Sequence, residues 1–305
     1  MDCHVATLLA MTNAEISMDT LRLTRISLLR ETVAQWRAAG ESIALVPTMG
    51  ALHAGHIALV KAAQAHAKRV VVSIFVNPTQ FGPNEDFSRY PRPLENDLSM
   101  LRDAGADAAW LPSLEEMYPA GFASSIHVAG VSDGMEGAAR PGHFDGVATV
   151  VAKLLLQVAP DYALFGEKDY QQLCVVKAMV RDLDIPCHII GMPTVREADG
   201  LALSSRNHYL TPAQRAVAPA LHGELKSLAT QLAMAGKGDI QPLMDAAKAN
   251  ILAAGFESVD YLELRDASSL APLTLLSSPA RLIVAARLGS TRLLDNISIA
   301  PVDFS

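Results

Sequence analysis

The first two-thirds of the chain alternates continuous apolar runs with segments in which apolar residues recur at helical spacing. The run at 43–46 is apolar at every position, which is typical of a strand buried on both faces of a parallel sheet. The segment at 27–39 instead places Leu29, Val33 and Trp36 on one stripe, which predicts an amphipathic helix. The same reasoning predicts strands at 43–47, 69–76, 108–111, 161–165 and 187–190, and helices at 27–39, 56–68, 93–104, 147–158 and from about 173 to 183. This alternation predicts a Rossmann-like, doubly wound, mostly parallel sheet of the α/β class.

The pattern changes after Asn207, where alternating apolar and polar positions replace the continuous runs. Thr211 and Pro212 suit the N-cap and first residue of a helix. Helices are predicted at 212–235 and 240–254, and strands with one covered face at 259–264, 281–286 and 291–294. We therefore expect three regions: a loose N-terminal extension over 1–20, the Rossmann-like domain over 21–208, and a smaller α+β C-terminal lid domain over 209–305.

A polar turn rich in glycine and histidine follows the first predicted strand. It reads Pro-Thr-Met-Gly-Ala-Leu-His-Ala-Gly-His at 47–56. Gly50 and Gly55 allow a ligand to lie against the backbone, while His53 and His56 fall on one side of the entering helix, whose free N–H groups favour an anion. The helix is predicted to bury one stripe, formed by Ile57, Val60 and Gln64. The alternatives are an ordinary turn with solvated histidines and a zinc pair, although no third zinc ligand is evident.

Further polar turns are predicted at 77–82, 166–172 and 203–207. The first two follow strands, so they are expected at the same sheet edge as the histidine turn. There, Lys168 is suited to reach a phosphate, and Asp169 a ribose hydroxyl or a metal. Arg206 gives the last turn the character of an anion-binding loop, and Asn77 and Gln80 suit hydroxyl or carboxylate recognition. The alternatives are a solvated helical turn at 166–172, an interdomain hinge at 203–207 and loop self-capping at 77–82.

Composition narrows the classes of function. The chain has 305 residues, of which 25 are Lys or Arg and 32 are Asp or Glu, giving a net charge of −7. Nucleic-acid partners are therefore disfavoured, because phosphate backbones require basic surfaces. The three cysteines form no Cys-x-x-Cys pair, which suits a reducing cytoplasm. No apolar stretch reaches the about 18 residues expected of a membrane span, so no membrane association is predicted.

Taken together, four segments resemble the pantothenate synthetase (pantoate–β-alanine ligase) family. They are the turn at 47–56, Phe-Val-Asn-Pro-Thr-Gln-Phe at 75–81, Gly-Glu-Lys-Asp-Tyr-Gln-Gln at 166–172 and Leu-Ser-Ser-Arg-Asn at 203–207. The resemblance runs in order from Ile43 to the Arg-Leu-Leu-Asp-Asn segment at 292–296. The first segment alone indicates only the nucleotidyl-transfer superfamily that carries a His-x-Gly-His signature, whereas the four together are specific.

The resemblance implies an ATP-driven synthesis of pantothenate from pantoate and β-alanine. Pantoate forms a pantoyl adenylate with release of pyrophosphate, β-alanine then displaces AMP, and Mg²⁺ accompanies the phosphates. The resemblance also implies a homodimer, the usual state of family members. His56 is the implied catalytic histidine, and it is expected to supply positive charge to the triphosphate together with His53, Lys168 and Arg206.

Further residues are assigned by the same resemblance. ATP is expected to contact Met49, Gly50, Ala51, Leu52, His53, Ala54, Gly55, His56, Gly166, Glu167, Lys168, Asp169, Val195, Leu203, Ser204, Ser205 and Arg206. Pantoate and β-alanine are expected to contact Asn77, Gln80, Tyr90, Arg140 and Gln172. Asp97 is the implied metal ligand, and the segment at 83–92 is a candidate lid.

Two other classes compete with the ligase. A nucleotidylyltransferase would stop at the activated product, but such enzymes are typically single-domain, and Gln80 and Gln172 argue for a second substrate. A non-catalytic nucleotide sensor would not need both histidines together with Lys168 and Arg206. The fourth segment lacks a lysine, so Arg206 is expected to carry its charge. The residues before Met18 match nothing in the resemblance.

Overall fold

The fold is described from a computed structural model over residues 19–83, 85–235 and 238–301. The predicted N-terminal extension lies outside these residues except for Asp19 and Thr20. Asn84, within the candidate lid, lies outside them too. Among the described residues, no helix combines the length and the apolar composition needed to cross a bilayer.

The larger sheet has six strands in the order β1-β4-β3-β2-β5-β6, and every neighbouring pair is parallel. Its strands are β1 Leu21–Leu23, β2 Ile43–Thr48, β3 Arg69–Ile74, β4 Ala108–Trp110, β5 Tyr162–Gly166 and β6 His188–Met192. The prediction of a Rossmann-like parallel sheet is confirmed. The short edge strand β1 was not predicted, because three residues at a sheet edge leave no hydrophobic period to recognise.

Helices cover both faces of this sheet. They are α1 Ile26–Ala38, α2 Ala54–His66, α3 Leu94–Asp103, α4 Leu114–Met117, α5 Met135–Ala139, α6 His143–Val158 and α7 Tyr170–Asp182. Helices α1, α6 and α7 bury their apolar side chains on one face, around Leu45 and Trp110. Helices α2 and α3 bury theirs on the other face, around Val46 and Val72. The two apolar layers explain why the central strands read as continuous hydrophobic runs.

The buried stripe of α2 differs from the prediction. The helix buries Leu59, Val60 and Ala63, whereas Ile57 is only partly buried and Gln64 is exposed. The helix begins at Ala54, two residues earlier than expected, because the side chain of His53 serves as its N-cap.

The remaining elements form a second, antiparallel sheet with its own helices. They are α8 Pro212–Val217, α9 Ala220–Ala235, α10 Gln241–Ala253, β7 Ser258–Asp266, β8 Ala280–Leu288 and β9 Thr291–Ile299. The strands pair in the order β7-β8-β9. The prediction of a small α+β unit is confirmed. The single helix expected at 212–235 is instead two helices, because Pro219 lies between them and has no N–H to continue the first.

The strand order creates a crevice beside β2. This strand pairs with β3 on one side and with β5 on the other, so the connections leave it in opposite directions and open a gap between the turns that follow β2 and β5. The histidine turn follows β2, and the turn with Lys168 follows β5. The topology therefore brings residues about 110 positions apart in the sequence to one edge of the sheet.

Candidate active site

A cavity of about 290 Å³ lies where the strands of the parallel sheet end and the antiparallel sheet begins. Its wall contains side chains from the turns after β2, β3 and β5, from the segment after β6 and from the second sheet. Of the expected site residues, those lining it are Met49, His53, Gly55, His56, Asn77, Gln80, Tyr90, Arg140, Gly166, Lys168, Asp169, Gln172, Val195, Leu203, Ser204, Ser205 and Arg206. The lining does not include Gly50, Ala51, Leu52, Ala54, Asp97 or Glu167.

The two histidines are held by the backbone at the start of α2. Nδ1 of His53 accepts a hydrogen bond from the Gly55 N–H at 3.2 Å, and Nδ1 of His56 accepts one from the His53 N–H at 3.3 Å. Their ring centroids are 4.0 Å apart. Because Nδ1 accepts in each ring, the proton of each neutral imidazole resides on Nε2. Both rings therefore keep an Nε2–H donor that the helix start does not use.

Both imidazoles are neutral at physiological pH. Burial lowers the pKa of His56 to about 3, with His53 adding to the effect. Burial, followed by the charge of Lys168, lowers the pKa of His53 to about 4. The expectation that these rings supply positive charge does not fit such low pKa values. The cationic side chains that line the cavity include Lys168 and Arg206.

The neutral histidines predict a loss of stability in acid. Burial lowers the pKa of His143 to about 4 as well, whereas a histidine in an unfolded chain titrates near 6.5. Below about pH 6.5 the unfolded chain takes up protons that the folded protein does not accept until about pH 3–4, so folded stability falls as pH falls.

Urea unfolding at intervals between pH 7.5 and pH 5 checks this expectation. The free energy of unfolding should begin to decline as the pH falls from 7.5 towards 6.5 and decline more steeply below pH 6.5. A variant with His53→Gln and His56→Gln should decline less steeply. An equal decline in both proteins would show that these histidines are not responsible.

The two cations of the site are partnered by nearby carboxylates. Lys168 Nζ lies 3.6 Å from Oδ1 of Asp169. Arg206 donates two hydrogen bonds to Asp86, from Nε at 3.0 Å and from Nη2 at 2.9 Å. Asp86 belongs to the candidate lid, so the Arg206 guanidinium ties this segment to the cavity. A phosphate entering the cavity would compete with Asp86 for Arg206.

Asn77 is a buried residue of the cavity wall that is hydrogen-bonded to its neighbours. Its side chain is 1% exposed, donates to Gly146 O at 3.1 Å and to Gln80 Oε1 at 3.2 Å, and accepts from the Tyr118 hydroxyl at 2.8 Å. Both hydrogens of its amide nitrogen are engaged by protein partners, so a substrate contact made by that nitrogen does not fit this arrangement. Gln80, which it holds, also donates to Sδ of Met49 at 3.1 Å and faces the cavity.

Arg140 is likewise occupied by protein partners. Its guanidinium donates to Glu85 Oε1 at 2.7 Å, to Glu136 Oε1 at 3.2 Å and to Gln80 O at 3.1 Å. It also donates to Nε2 of His143, whose Nδ1–H donates to Gln80 O at 2.8 Å. Every guanidinium nitrogen is engaged, so Arg140 shapes the wall around Gln80 and holds Glu85 of the candidate lid. Direct capture of a substrate carboxylate by Arg140 does not fit this arrangement.

Comparison with known proteins decides the family. A family model described as pantoate-beta-alanine ligase matches residues 22–298. The chain belongs to the pantoate–β-alanine ligase family. Its members form pantothenate from pantoate and β-alanine, and this ligase shares that activity.

Several relatives cover nearly the whole chain. The pantothenate synthetase of Paramagnetospirillum magneticum is 58% identical over 277 residues, which is 90% of this chain and 96% of the relative. A pantothenate synthetase structure from Thermus thermophilus superposes with a TM-score of 0.86 at 46% identity, covering 92% of this chain and all of that one. The pantoate–β-alanine ligase of Francisella tularensis, solved in complex with β-γ ATP and β-alanine, superposes with a TM-score of 0.77 at 34% identity, covering 91% of this chain and 97% of that one.

Asp97 of the ligase supports the histidine turn and does not face the cavity. Its side chain is 1% exposed, and its two oxygens accept hydrogen bonds from the N–H groups of Ala51 at 2.9 Å and Leu52 at 2.8 Å. Gly50 and Ala51 both have positive φ, at 81° and 50°. Glycine adopts such angles freely, so the unfavourable conformation in the turn that the carboxylate holds is that of Ala51. The metal role expected for Asp97 does not fit this placement, because its carboxylate is buried against the backbone of the turn and does not line the cavity.

Within the described ranges, no group of three or more His, Cys, Asp or Glu side chains is arranged to hold a metal ion. A Mg²⁺ ion that is held mainly by phosphate oxygens and water needs no such group.

Asp97→Asn separates the structural role from the metal role. Asparagine keeps the shape but replaces one acceptor with an NH₂ group facing a backbone N–H. We expect a loss of about 1–3 kcal/mol of unfolding free energy, measured by urea titration without ATP or magnesium. Asp103→Asn, at the exposed end of the same helix, is the control. Unchanged stability of Asp97→Asn combined with lost Mg–ATP binding would restore the metal interpretation.

Two residues that line the cavity, Glu136 and His143, were not predicted from the sequence. Glu136 accepts hydrogen bonds from the Tyr261 hydroxyl at 3.0 Å and from Arg292 at 2.7 Å, so it links the cavity wall to the second sheet. Its partners lie 125 and 156 positions further along the chain, and no local pattern reveals such contacts. His143 lies three residues after Arg140, which the resemblance assigned to substrate binding, and that proximity was the available signal.

Proposed function

We propose that this ligase activates pantoate as an acyl adenylate at the cavity between the two sheets. The observation that carries the proposal is the convergence of two cations and two neutral imidazole donors on that cavity, from three separate stretches of the chain. ATP is the proposed co-substrate. The Francisella ligase complex with β-γ ATP and β-alanine supports a nucleotide in the family.

The first step is attack by a carboxylate oxygen of pantoate on the α-phosphorus of ATP. An O–P bond forms, the bond to the bridging oxygen of the β-phosphate breaks, and pyrophosphate leaves. Both reactants are anions, so the barrier includes their mutual repulsion. A site that lowers it needs fixed donors and cations directed at the phosphates more than it needs a covalent intermediate.

In this proposal Lys168 and Arg206 neutralise the phosphates, and the Nε2–H groups of His53 and His56 donate to phosphate oxygens. Neutral donors held by the backbone need no reorganisation as charge develops, which is what makes such groups effective. Arg206 exchanges part of its pairing with Asp86 for the nucleotide. Nucleotide binding would therefore weaken the contact between Arg206 and the candidate lid segment at 83–92.

Pantoate is proposed to lie beside the imidazoles, with its hydroxyl and carboxylate groups hydrogen-bonded to Gln80 and Gln172. The cavity wall there also includes the apolar side chains of Val147, Val150 and Val151 from α6. A wall of that chemistry suits the two methyl groups of pantoate. The site is therefore complementary to a hydroxy acid with a branched apolar centre.

The second step is attack of the β-alanine amine on the acyl carbon of the adenylate. The carbon–nitrogen bond forms, the bond between the acyl carbon and the bridging oxygen breaks, and that oxygen leaves with AMP. The amine attacks as the free base, and its nitrogen releases one proton to solvent as the amide forms. Tyr90 and the segment around Glu85 and Asp86 are proposed to restrict water during this step, since Arg140 and Arg206 hold that segment against the cavity.

Three further properties are proposed on family grounds. Mg²⁺ enters with ATP as the Mg–ATP complex, the enzyme acts as a homodimer, and it works in the cytoplasm. Its partners are then the small molecules pantoate, β-alanine and ATP, with no nucleic acid or membrane among them.

Product analysis tests the proposed sequence of steps. Exchange of labelled pyrophosphate into ATP should require pantoate but not β-alanine, whereas steady formation of AMP should require both. Pyrophosphate exchange without pantoate would exclude the adenylate. AMP release at the same rate with and without β-alanine would point to an enzyme that stops at the activated acid.

A further inference from the structure

Two adjacent polar residues in β9 are buried on opposite faces of the antiparallel sheet. Asp295 is 3% exposed and Asn296 is 2% exposed. Neighbouring residues of a strand point to opposite faces, so one side chain faces the helices of the second unit and the other faces the parallel sheet. In a strand with only one covered face, one of two adjacent polar residues would be exposed to solvent. Because Asp295 and Asn296 are both buried, each must have partners within the protein.

Asn296 contacts the turn that carries Lys168. Its Nδ2 donates to Glu167 O at 2.8 Å and to Lys168 O at 2.9 Å. Its Oδ1 accepts from Nη1 of Arg281 at 2.9 Å. One amide therefore satisfies two consecutive carbonyl groups of the turn after β5 and is itself oriented by a neighbouring strand.

Arg281 holds the same turn from β8. Its Nη2 donates to Glu167 Oε2 at 2.7 Å, and its guanidinium lies 4.0 Å from the centre of the Tyr170 ring. Asn296 thus holds the two peptide groups that flank Lys168. Arg281 holds the side chains of Glu167 and Tyr170 in the same turn. Every one of these contacts to the turn crosses from the antiparallel sheet to the parallel-sheet unit.

Asp295 holds the segment on the other side of the nucleotide region. Its carboxylate accepts from Nη1 and Nη2 of Arg196, at 2.6 and 2.8 Å. Arg196 also donates to Gly200 O at 3.1 Å, and Leu203 N–H donates to Val195 O at 3.0 Å. The Asp295–Arg196 pair therefore ties β9 to the hairpin that presents Val195 and Leu203 to the cavity.

We propose that the Asp295–Asn296 step of β9 is a positioning element for adenylation, in which Asn296 places Lys168. The proposal rests on the proposed function, because it assigns Lys168 to the triphosphate. Asn296 touches no reacting atom. It acts by fixing the two peptide groups from which the Lys168 side chain projects, and Asp295 fixes β9 relative to the opposite wall of the nucleotide region.

This arrangement gives the second sheet an indirect part in catalysis, through the placement of Lys168. A displacement of about 1 Å at a catalytic group is enough to cost about 10²-fold in rate. Without the Asn296 amide, the carbonyl groups of Glu167 and Lys168 lose their donors and the turn is free to adopt other conformations. Lys168 would then retain its charge but lose its placement.

A double-mutant cycle with Lys168 separates positioning from general destabilisation. The variants are Asn296→Ala, Lys168→Met and the double variant, assayed by pantoate-dependent pyrophosphate exchange well below each protein's Tm. Asn296→Asp is a second variant: it matches the volume of Asn296 and keeps the contact with Arg281, but turns an oxygen towards the two carbonyls. Asn250→Ala is the control, because Asn250 is exposed on α10 and its amide contacts Glu224.

We expect Asn296→Ala to lower kcat/KM for ATP by about 10–10²-fold, Asn296→Asp to lower it at least as much, and Asn250→Ala to leave it within about twofold. In the Lys168→Met background, Asn296→Ala should change the remaining rate by less than about twofold. A loss of equal factor in both backgrounds, or wild-type activity in Asn296→Ala, would overturn the positioning role. Failure of the proposed function is distinguishable, since wild-type protein would then show no pantoate-dependent exchange.

Discussion

Replacing His56 with alanine is expected to lower kcat for pantoate-dependent pyrophosphate exchange by about 10²–10³-fold. This is the usual effect of removing one fixed hydrogen-bond donor from a group on which charge develops, and it corresponds to about 2.7–4 kcal/mol of activation free energy. Nδ1 of His56 is held by the His53 N–H, so its Nε2–H is oriented before substrate binds. Burial keeps the pKa of the ring at about 3. The loss should therefore be nearly the same at pH 6.5 and pH 8.5, because the imidazole is neutral throughout that range.

A matched control is available on the same helix. His66 is exposed in the last turn of α2, with its ring 5.5 Å from that of Tyr162. His66→Ala should exchange pyrophosphate at the wild-type rate. A His56→Ala enzyme within about threefold of wild type would remove His56 from the chemistry. A loss confined to low pH would instead indicate that His56 acts as a cation.

Replacing Lys168 with methionine should have an effect of similar size. Methionine keeps most of the length and apolar character of the lysine stem, so the change removes the charge with little change in volume. The lost contact is one between a cation and a phosphate whose charge redistributes as pyrophosphate leaves, so kcat should fall by about 10²–10³-fold. The KM for pantoate should change little, because Gln80 and Gln172 are the groups assigned to it.

Lys177→Met is the control for this substitution. Lys177 is exposed on α7, the helix that follows Lys168, and its removal changes the net charge of the protein by the same amount. If both methionine variants lose activity equally, the effect is one of overall charge. If Lys168→Met raises the KM for ATP without lowering kcat, the lysine contributes to binding alone.

The pattern of apolar and polar positions along the sequence was sufficient to predict where the site lies. The apolar runs that became β2 and β5 fixed two neighbouring strand ends, and the turns after them carry His56 and Lys168. Parallel strands present their carboxyl ends at one edge, so the meeting of these turns follows from topology. The broken helix at Pro219 was within reach of the same reasoning, since proline has no N–H to donate.

The protonation states and hydrogen-bond partners of the site residues could not be predicted from the pattern of apolar and polar residues. The charge of His56 depends on burial by elements distant in the chain, and no local spacing reports it. The sequence alone gives no sign that the Asp97 carboxylate is hydrogen-bonded, because its two backbone donors lie 45 and 46 positions away. Asn296 is similar, because its partners Glu167 and Lys168 lie 129 and 128 positions earlier. Sequence patterns identify residue types at an edge, while long-range hydrogen bonds decide which of them meet substrate.

The fate of the carboxylate oxygen of pantoate tests the central claim most directly. With both carboxylate oxygens of pantoate labelled with ¹⁸O, a complete reaction with ATP and β-alanine is followed by mass analysis of the phosphate products. Attack on the α-phosphorus predicts one labelled oxygen in each AMP and none in pyrophosphate. Label in pyrophosphate or inorganic phosphate, or AMP without label, would contradict activation of pantoate as its adenylate.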